Sequence, residues 1–133
     1  CDQKIIPALT AGSVVISDRM SDSSLVYQGY MRGLSVDFIR NVNSWACGKA
    51  QPNILFYLKI DAQTALKRIK QRNVPGASFE ESIVHLQEAL KGFDLMLADR
   101  PEVIVLNANQ SPHKVLIQAL QTLQSHLATV RDV

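Results

Sequence analysis

The residues best suited to chemistry lie together in the stretch 13–29. An apolar, β-branched run at residues 14–16 predicts a strand over residues 13–18 that is buried on both faces. That strand ends at Asp18 and Arg19, so a charged pair is expected at its carboxyl end. Ligands of open α/β sheets bind at this edge, and the planar donors of arginine suit phosphate.

The polar side chains that follow are suited to recognising a base and a sugar. A segment predicted to be helical over about residues 23–31 carries Ser23, Ser24, Tyr27 and Gln28. Hydroxyls and a carboxamide can hydrogen-bond to base edges, and the aromatic ring can pack against a sugar or a base. The stretch therefore predicts a nucleotide site. The alternatives are a surface ion pair for the charged residues, and N-capping with ordinary helix-surface polarity for the others.

Strands and helices alternate along the rest of the chain. Two more apolar runs predict buried strands at residues 54–60 and 103–106, and periodic patterns predict helices at 2–11, 36–47, 62–72, 78–100 and 111–127. This order predicts an α/β fold, a three-layer parallel sheet flanked by helices with right-handed crossovers. The polar strand ends, Asp18-Arg19, Asp61 and Asn107-Ala108, are then expected at one edge of the sheet.

Two of these helices carry apolar faces that are expected to point inward. The predicted core-facing residues are Val36, Phe38, Ile39, Val42, Trp45 and Ala46 in one helix, and Val115, Leu116, Ala119, Leu120, Leu123 and Leu127 in the last helix.

Composition bounds the class of protein. The 133 residues are sized for one domain, and the net charge of +2 is too slight to predict a nucleic-acid surface. No apolar run approaches the roughly 20 residues of a membrane helix. Cys1 and Cys47 are the two cysteines, for which reduced thiols are favoured over a disulfide. We expect a soluble cytoplasmic enzyme with neither a nucleic acid nor a membrane as partner.

A family resemblance follows from these motifs. Asp18-Arg19-Met20, Ser23-Ser24 and Tyr27-Gln28-Gly29 resemble the Asp-Arg-Tyr/His segment of thymidylate kinases and the helix behind it, although Met20 replaces the usual Tyr or His. Residues 6–9 and 51–58 are similar to that family in order and spacing. The resemblance runs nearly end to end. It implies a P-loop nucleoside monophosphate kinase fold, a homodimer, and transfer of the γ-phosphate of ATP to dTMP with Mg²⁺.

The resemblance also implies an incomplete enzyme. The chain contains no Gly-x-x-x-x-Gly-Lys-Ser/Thr, so the phosphate-binding loop is expected before residue 1, and the chain is expected to be the last two thirds of the family's domain. We therefore expect the 133 residues alone to be inactive. The apolar face of the helix with Phe38, Val42 and Trp45 is also a candidate dimer interface.

The resemblance assigns roles within an acceptor segment, residues 13–31. The implied substrate-binding residues are Arg19, Ser23, Ser24, Tyr27 and Gln28. Arg19 would hold the phosphate of dTMP and act in catalysis, with Asp18 near the magnesium ion. Ser24 would contact the thymine edge, Tyr27 would lie under the deoxyribose, and Gln28 would bind near the base or phosphate.

Residues 67–79 resemble the lid of bacterial thymidylate kinases. Arg68 would lie against the adenine of ATP, and Arg72 would be the second catalytic arginine, acting on the transferring phosphates. Asn107-Ala108 resembles an Asp-Ala pair whose backbone lines the adenine pocket. Periodicity alone favours a solvated basic face for the lid arginines, and the alternative for the Asn107-Ala108 pair is a plain turn after a strand. Residues 74–78 replace an Asp-Arg pair that many bacterial lids carry.

Two other functions remain open at this level. A related deoxynucleotide or deoxynucleoside kinase would share most of these motifs, because the base-reading residues of the family normally precede the position of residue 1. A non-catalytic, kinase-like module that binds a nucleotide or a partner is the alternative outside the enzymes.

Overall fold

The computed structural model describes residue 1, residues 3–71 and residues 82–131. In chain order its elements are α1 Ile5–Thr10, α2 Asp22–Ser24, a π-helix Leu25–Tyr30, α3 Val36–Cys47, β1 Leu55–Lys59, α4 Ala62–Gln71, α5 Ile83–Leu97, β2 Val103–Asn107 and α6 Pro112–Arg131. None of the helices within the described ranges is both long and apolar enough to cross a membrane.

The two later strands form a parallel pair, as predicted. Their register runs from Leu55 opposite Val103 to Lys59 opposite Asn107. The Leu55 N–H extends the pairing by donating to the Glu102 carbonyl at 2.8 Å. Parallel strands joined through a helix are typical of the α/β class, so the predicted class is confirmed at this coarse level.

The strand predicted over residues 13–18 does not form, and this prediction was wrong. The segment has no regular secondary structure and is exposed, with Val14 at 68% and Ile16 at 90% exposure. A β-branched run becomes a strand only where a neighbouring strand accepts its hydrogen bonds. In the described residues the sheet holds only β1 and β2. The charged residues Asp18 and Arg19 therefore lie in an exposed turn before α2, not at the end of a core strand.

Two helix boundaries carry residues that are typical of helix caps. Ser35 accepts a hydrogen bond from the Phe38 N–H at 3.2 Å at the start of α3. At the end of α1, Gly12 adopts φ +77°, the left-handed conformation that favours glycine after a helix. Residues 78–81, Ser-Phe-Glu-Glu, have the sequence pattern of a capping box, but they lie outside the described residues. The described part of α5 begins after Ser82, whose hydroxyl accepts from the His85 N–H at 3.0 Å.

The chain divides into two compact units. The first comprises residues 1–53 and 91–100, and the second comprises residues 54–90 and 101–133. In the first unit, Val26, the second residue of the π-helix, is fully buried. Gly92 lies so close that an added Cβ would meet Val26 Cγ1 and Tyr30 Cδ1 at 2.8 Å each. The π-helix is therefore held by close packing against α5 and α3.

Helix α3 buries only part of the face that was predicted to point inward. Ile39 and Cys47 are buried, whereas Phe38, Val42 and Trp45 are exposed by 66%, 44% and 86%. Gly29 of the π-helix approaches α3 at Ile39, whose Cδ1 lies 3.4 Å from the position of an added Cβ. The buried face consequently runs along Ile39 and Cys47, and the predicted inward positions 38, 42 and 45 point to solvent.

In the second unit, α6 packs against β2 but does not bury its whole apolar stripe. Val115, Ala119 and Leu123 are half-buried, whereas the predicted core residues Leu116, Leu120 and Leu127 are exposed by 54%, 48% and 43%. The sheet of the described residues has two strands, whereas three were predicted. The smaller sheet covers a narrower face of α6.

Candidate functional site

The turn before α2 presents its two charged side chains to solvent. Asp18 and Arg19 are exposed, and they form no ion pair with each other in the structure as described. Arg19 has φ +64°, an uncommon value for a residue other than glycine, and Ser17 Oγ donates to its carbonyl at 2.9 Å. The structure therefore gives no support to the surface ion pair and leaves the guanidinium accessible to an anion.

Hydroxyl and amide groups meet where α2 begins. Ser24 Oγ donates to the Ser21 carbonyl at 2.6 Å. Asn43 of α3 donates through Nδ2 to the same carbonyl at 3.0 Å and to Ser24 Oγ at 2.9 Å. Ser21, the residue before α2, makes no side-chain cap, so the alternative of an N-capping serine finds no support there. Ser24, a predicted base-reading residue, is thus engaged with α3.

The π-helix carries the next two predicted residues. The Tyr27 ring meets Phe93 of α5 edge to face, with centroids 5.9 Å apart. Gln28 is half-buried, and its Oε1 atom is shielded from solvent without a hydrogen-bond partner in the part of the chain that the structure describes. Buried polar atoms normally have partners, so this oxygen is an acceptor whose hydrogen bond is missing among the described residues. π-Helical turns occur frequently at functional sites.

An ion pair between Arg100 and Asp22 holds α2, the short helix that precedes the π-helix. Arg100 Nη1 donates to Asp22 Oδ1, and the two side chains are only 28% and 18% exposed. The residues are 78 positions apart in sequence. This pair fixes the first turn of α2, and Ser23, which lies next to Asp22, is half-buried.

Sequence reasoning missed Asn43, Asp22 and Arg100. A usable signal existed for Asn43, because it stands at the i+4 position between Ile39 and Cys47, the two buried residues of α3. A polar residue on a buried helix stripe needs a partner. No comparable signal pointed to the ion pair, since nothing in the sequence relates positions so far apart.

In the second unit, Arg68 binds the loop after β2. Its Nη1 donates to the Ala108 carbonyl at 2.8 Å and its Nη2 donates to the Gln110 carbonyl at 3.1 Å. The Ala108 N–H donates to the Lys59 carbonyl at 2.8 Å, and the Asn109 N–H donates to Asn107 Oδ1 at 3.0 Å. Arg68 is therefore not part of a solvated face. Two predicted donor-site elements, Arg68 and the 107–108 loop, lie together.

Asp61 ties the start of α4 to this loop. Its carboxylate accepts from the Thr64 N–H at 2.7 Å and from the Thr64 hydroxyl at 2.8 Å. These hydrogen bonds lower the pKa of Asp61 below its ordinary value of 3.8. The Asp61 N–H donates to Asn109 Oδ1 at 3.0 Å, so the cap of the helix and the loop form one network.

Two further predictions concern the lid with Arg72 and the magnesium ion. Arg72 and the lid residues 72–79 lie outside the described residues. Within residue 1, residues 3–71 and residues 82–131, no three His, Cys, Asp or Glu side chains come close enough to hold a metal ion by themselves. Mg²⁺ is commonly held by one or two carboxylates together with substrate phosphates, which a lone exposed Asp18 fits.

Comparison with known proteins gives a consistent result. A family model described as thymidylate kinase matches residues 1–118. The thymidylate kinase of Staphylococcus epidermidis (strain ATCC 35984) is 35% identical over 128 residues, which cover 94% of this chain and 63% of that protein. Those of Desulfovibrio desulfuricans and Oenococcus oeni are 32% and 37% identical, and the matches cover 60% of each protein. The chain spans about three fifths of the length of these curated relatives.

Proposed function

Since the chain belongs to the thymidylate kinase family, we propose that the protein that carries it transfers the γ-phosphate of ATP to dTMP and releases dTDP. The family is one of phosphotransferases, and the acceptor and donor sides of that reaction fall in the two groups of residues described above. Phosphoryl transfer depends mainly on positioning and on cations around the developing charge. Exposed and loop-bound arginines fit this requirement.

The observation that carries the acceptor assignment is the unpartnered oxygen of Gln28. Its Oε1 atom is buried in a half-buried side chain on the π-helix, and a carboxamide oxygen can only accept. A phosphate offers few donors, whereas thymine offers its N3–H. Of the two roles considered for Gln28, contact with the base is therefore favoured over contact with phosphate. Tyr27, next to it in the π-helix, is proposed to lie under the sugar.

Arg19 is the proposed phosphate ligand and catalytic residue on the acceptor side. Its guanidinium is exposed and forms no ion pair with Asp18. Asp18 in the same turn is proposed to lie near Mg²⁺, which would neutralise the charge of the transferring phosphates when bound. Ser23 and Ser24 complete the proposed acceptor set.

The proposed donor side consists of Arg68, Asn107, Ala108 and Arg72. The two hydrogen bonds that Arg68 donates to backbone carbonyls hold its guanidinium plane against the loop after β2. Guanidinium planes stack on aromatic rings such as adenine. Arg72, outside the described residues, keeps its proposed role on the transferring phosphates through the family resemblance alone.

The finer architecture and assembly belong to the same proposal. Family membership and the parallel β1–β2 pair support a three-layer P-loop nucleoside monophosphate kinase domain in the complete protein. A homodimer is proposed to form through Phe38, Val42 and Trp45, whose exposure leaves an apolar stripe on α3. A cytoplasmic location is proposed because Cys1 and Cys47 are both free thiols.

The direct test measures dTDP formation by the polypeptide that carries this chain, with ATP, dTMP and Mg²⁺, in a preparation free of host kinase. Parallel reactions offer dUMP, dCMP and thymidine as acceptors. We expect dTMP to be the preferred acceptor, with turnover in the usual enzymatic range of roughly 1–1,000 per second. Preference for thymidine would indicate a nucleoside kinase, and nucleotide binding without phosphoryl transfer would indicate a non-catalytic module; either result contradicts the proposal.

A further inference from the structure

We propose that Asn43 of α3 is a positioning residue that fixes the hydroxyl of Ser24 as a hydrogen-bond acceptor toward the ligand. The inference rests on the proposed function for the identity of the ligand. It does not rest on that function for the contact itself, which lies within the first unit and joins residues 19 to 22 positions apart in sequence.

The orientation of the Asn43 carboxamide is dictated by the groups around it. The Ser21 carbonyl can only accept, and it lies 3.0 Å from Asn43 Nδ2. With the amide reversed, two oxygens would face each other at that distance. Nδ2 therefore points to Ser21, and its second hydrogen is directed to Ser24 Oγ at 2.9 Å.

The hydroxyl of Ser24 then has a defined polarity. Its single hydrogen has two acceptors within reach, the Ser21 carbonyl at 2.6 Å and Asn43 Oδ1 at 3.3 Å. The shorter contact is the stronger, so the hydrogen is used on Ser21. A hydroxyl has two acceptor lone pairs, and one receives the Asn43 N–H. What remains for a ligand is one lone pair.

This polarity limits what the site can recognise. The remaining lone pair of Ser24 can only accept a hydrogen bond, so the ligand group that meets it must be an N–H or O–H donor. The chemistry selects a base edge that carries a donor and disfavours a bare carbonyl edge. Asn43 itself does not touch the ligand; it acts through Ser24.

The first experiment needs no ligand and follows the side-chain amide protons of Asn43 and Asn41 by NMR in the polypeptide that carries this chain. Asn41 is a matched reference because it lies on the same helix and is exposed. We expect both Asn43 protons to exchange more slowly than those of Asn41. Ser24→Ala should shift one of the two Asn43 protons and leave Asn41 unchanged. Equal exchange of the two residues, or no shift on Ser24→Ala, would overturn the proposal.

The second experiment measures dTMP affinity by calorimetry for the polypeptide that carries the chain. Asn43→Asp replaces the amide donor by an acceptor, so Ser24 is no longer held in position. The affinity for dTMP should fall about tenfold, which corresponds to the loss of one hydrogen bond of typical strength. Asn41→Asp adds the same charge to the same helix and should change affinity by less than about twofold.

A double-mutant cycle separates positioning from general damage. If Asn43 acts through Ser24, the variant with both Ser24→Ala and Asn43→Asp should bind dTMP no more weakly than Ser24→Ala alone. Additive losses would mean that Asn43 supports the fold and not Ser24, and would overturn the inference. A parent that binds no dTMP would contradict the proposed function, and the amide-proton experiment would then decide the role of Asn43 by itself.

Discussion

At the scale of single residues, the backbone of Arg19 separates stability from activity. A φ of +64° costs an ordinary side chain roughly 1 kcal/mol or more, yet Arg19 is exposed and gains no described ion pair in return. Strain of this kind often accompanies a functional role. The proposed role of its guanidinium on phosphate is such a function.

Replacing Arg19 by glycine should therefore reduce activity without reducing stability. Arg19→Gly relieves the left-handed backbone, so the denaturation midpoint should stay the same or rise, while kcat should fall about a hundredfold or more through loss of a transition-state charge contact. Arg19→Ala should lose the same activity without that relief. Denaturant titration and steady-state kinetics check both variants, with Arg32→Ala as an exposed arginine control. Retained activity in Arg19→Gly would return Asp18 and Arg19 to an ordinary surface turn.

At the scale of elements, the π-helix is held in place by a helix that contains no proposed ligand contact. Gly92 of α5 has no room for a side chain, because an added Cβ would lie 2.8 Å from both Val26 and Tyr30. Those two residues flank Tyr27 and Gln28. The geometry of the acceptor segment thus depends on one glycine in another helix.

Gly92→Ala should destabilise the protein even though alanine is the better helix former. The gain in helix propensity is up to about 1 kcal/mol, and overpacking a core costs about 1–3 kcal/mol. We expect a net loss in the free energy of unfolding, measured by denaturant titration. Leu95→Ala is the control, since its exposed side chain lies on the same helix. An unchanged or higher stability for Gly92→Ala would show that the π-helix can shift to accommodate the methyl group.

The stability of the start of α4 should depend on pH, because its capping residue, Asp61, can be protonated. The folded-state pKa of Asp61 is lowered, so its contribution to stability is present above its ordinary pKa near 3.8 and is lost as pH falls through the folded pKa. The Thr64 amide, which donates to Asp61, should therefore exchange faster as pH is lowered through that range, after correction for intrinsic exchange.

Asp61→Asn should remove this pH dependence while keeping a neutral cap. The Phe38 amide is an internal reference, because it is capped by the non-titrating hydroxyl of Ser35. If the parent shows the same pH response at Thr64 and Phe38, the response belongs to global unfolding and not to the cap.

At the scale of the whole molecule, the exposed stripe of α3 bears on assembly. Phe38, Val42 and Trp45 follow i, i+4 and i+7 spacing, which places them on one helix face, and Trp45 is 86% exposed. Aromatic residues are enriched at protein interfaces, and contiguous exposed apolar patches mark interaction sites. None of these three side chains is buried in a core of the described residues.

Light scattering at micromolar concentration should therefore report a dimer, and Trp45→Glu should convert it to a monomer. The introduced charge would have to be buried without a partner in the proposed interface. Asn41→Glu, an exposed substitution on the same helix, should leave the dimer intact. A monomeric parent, or equal dissociation by both variants, would remove α3 from the proposed interface.

The sequence by itself determined the local elements and the residue types of the site. Strands β1 and β2 were predictable because continuous apolar runs between turn signals admit few alternatives, and the caps at Ser35 and Asp61 were predictable because capping is decided within four residues. The family was also determined at this level, since the motif around Asp18 and Arg19 and its order relative to the later strands are properties of the chain alone.

Only the tertiary structure decided which partners these residues have. The run at 14–16 carries the β-propensity of a strand, yet its state depends on a neighbour elsewhere in space. Helical periodicity showed that α3 and α6 have apolar stripes, but it could not say which part of a stripe meets the sheet or the π-helix. The same holds for Asn43, Arg100 and Arg68: hydrogen bonds across 19 to 78 positions are fixed by packing, which no local pattern encodes.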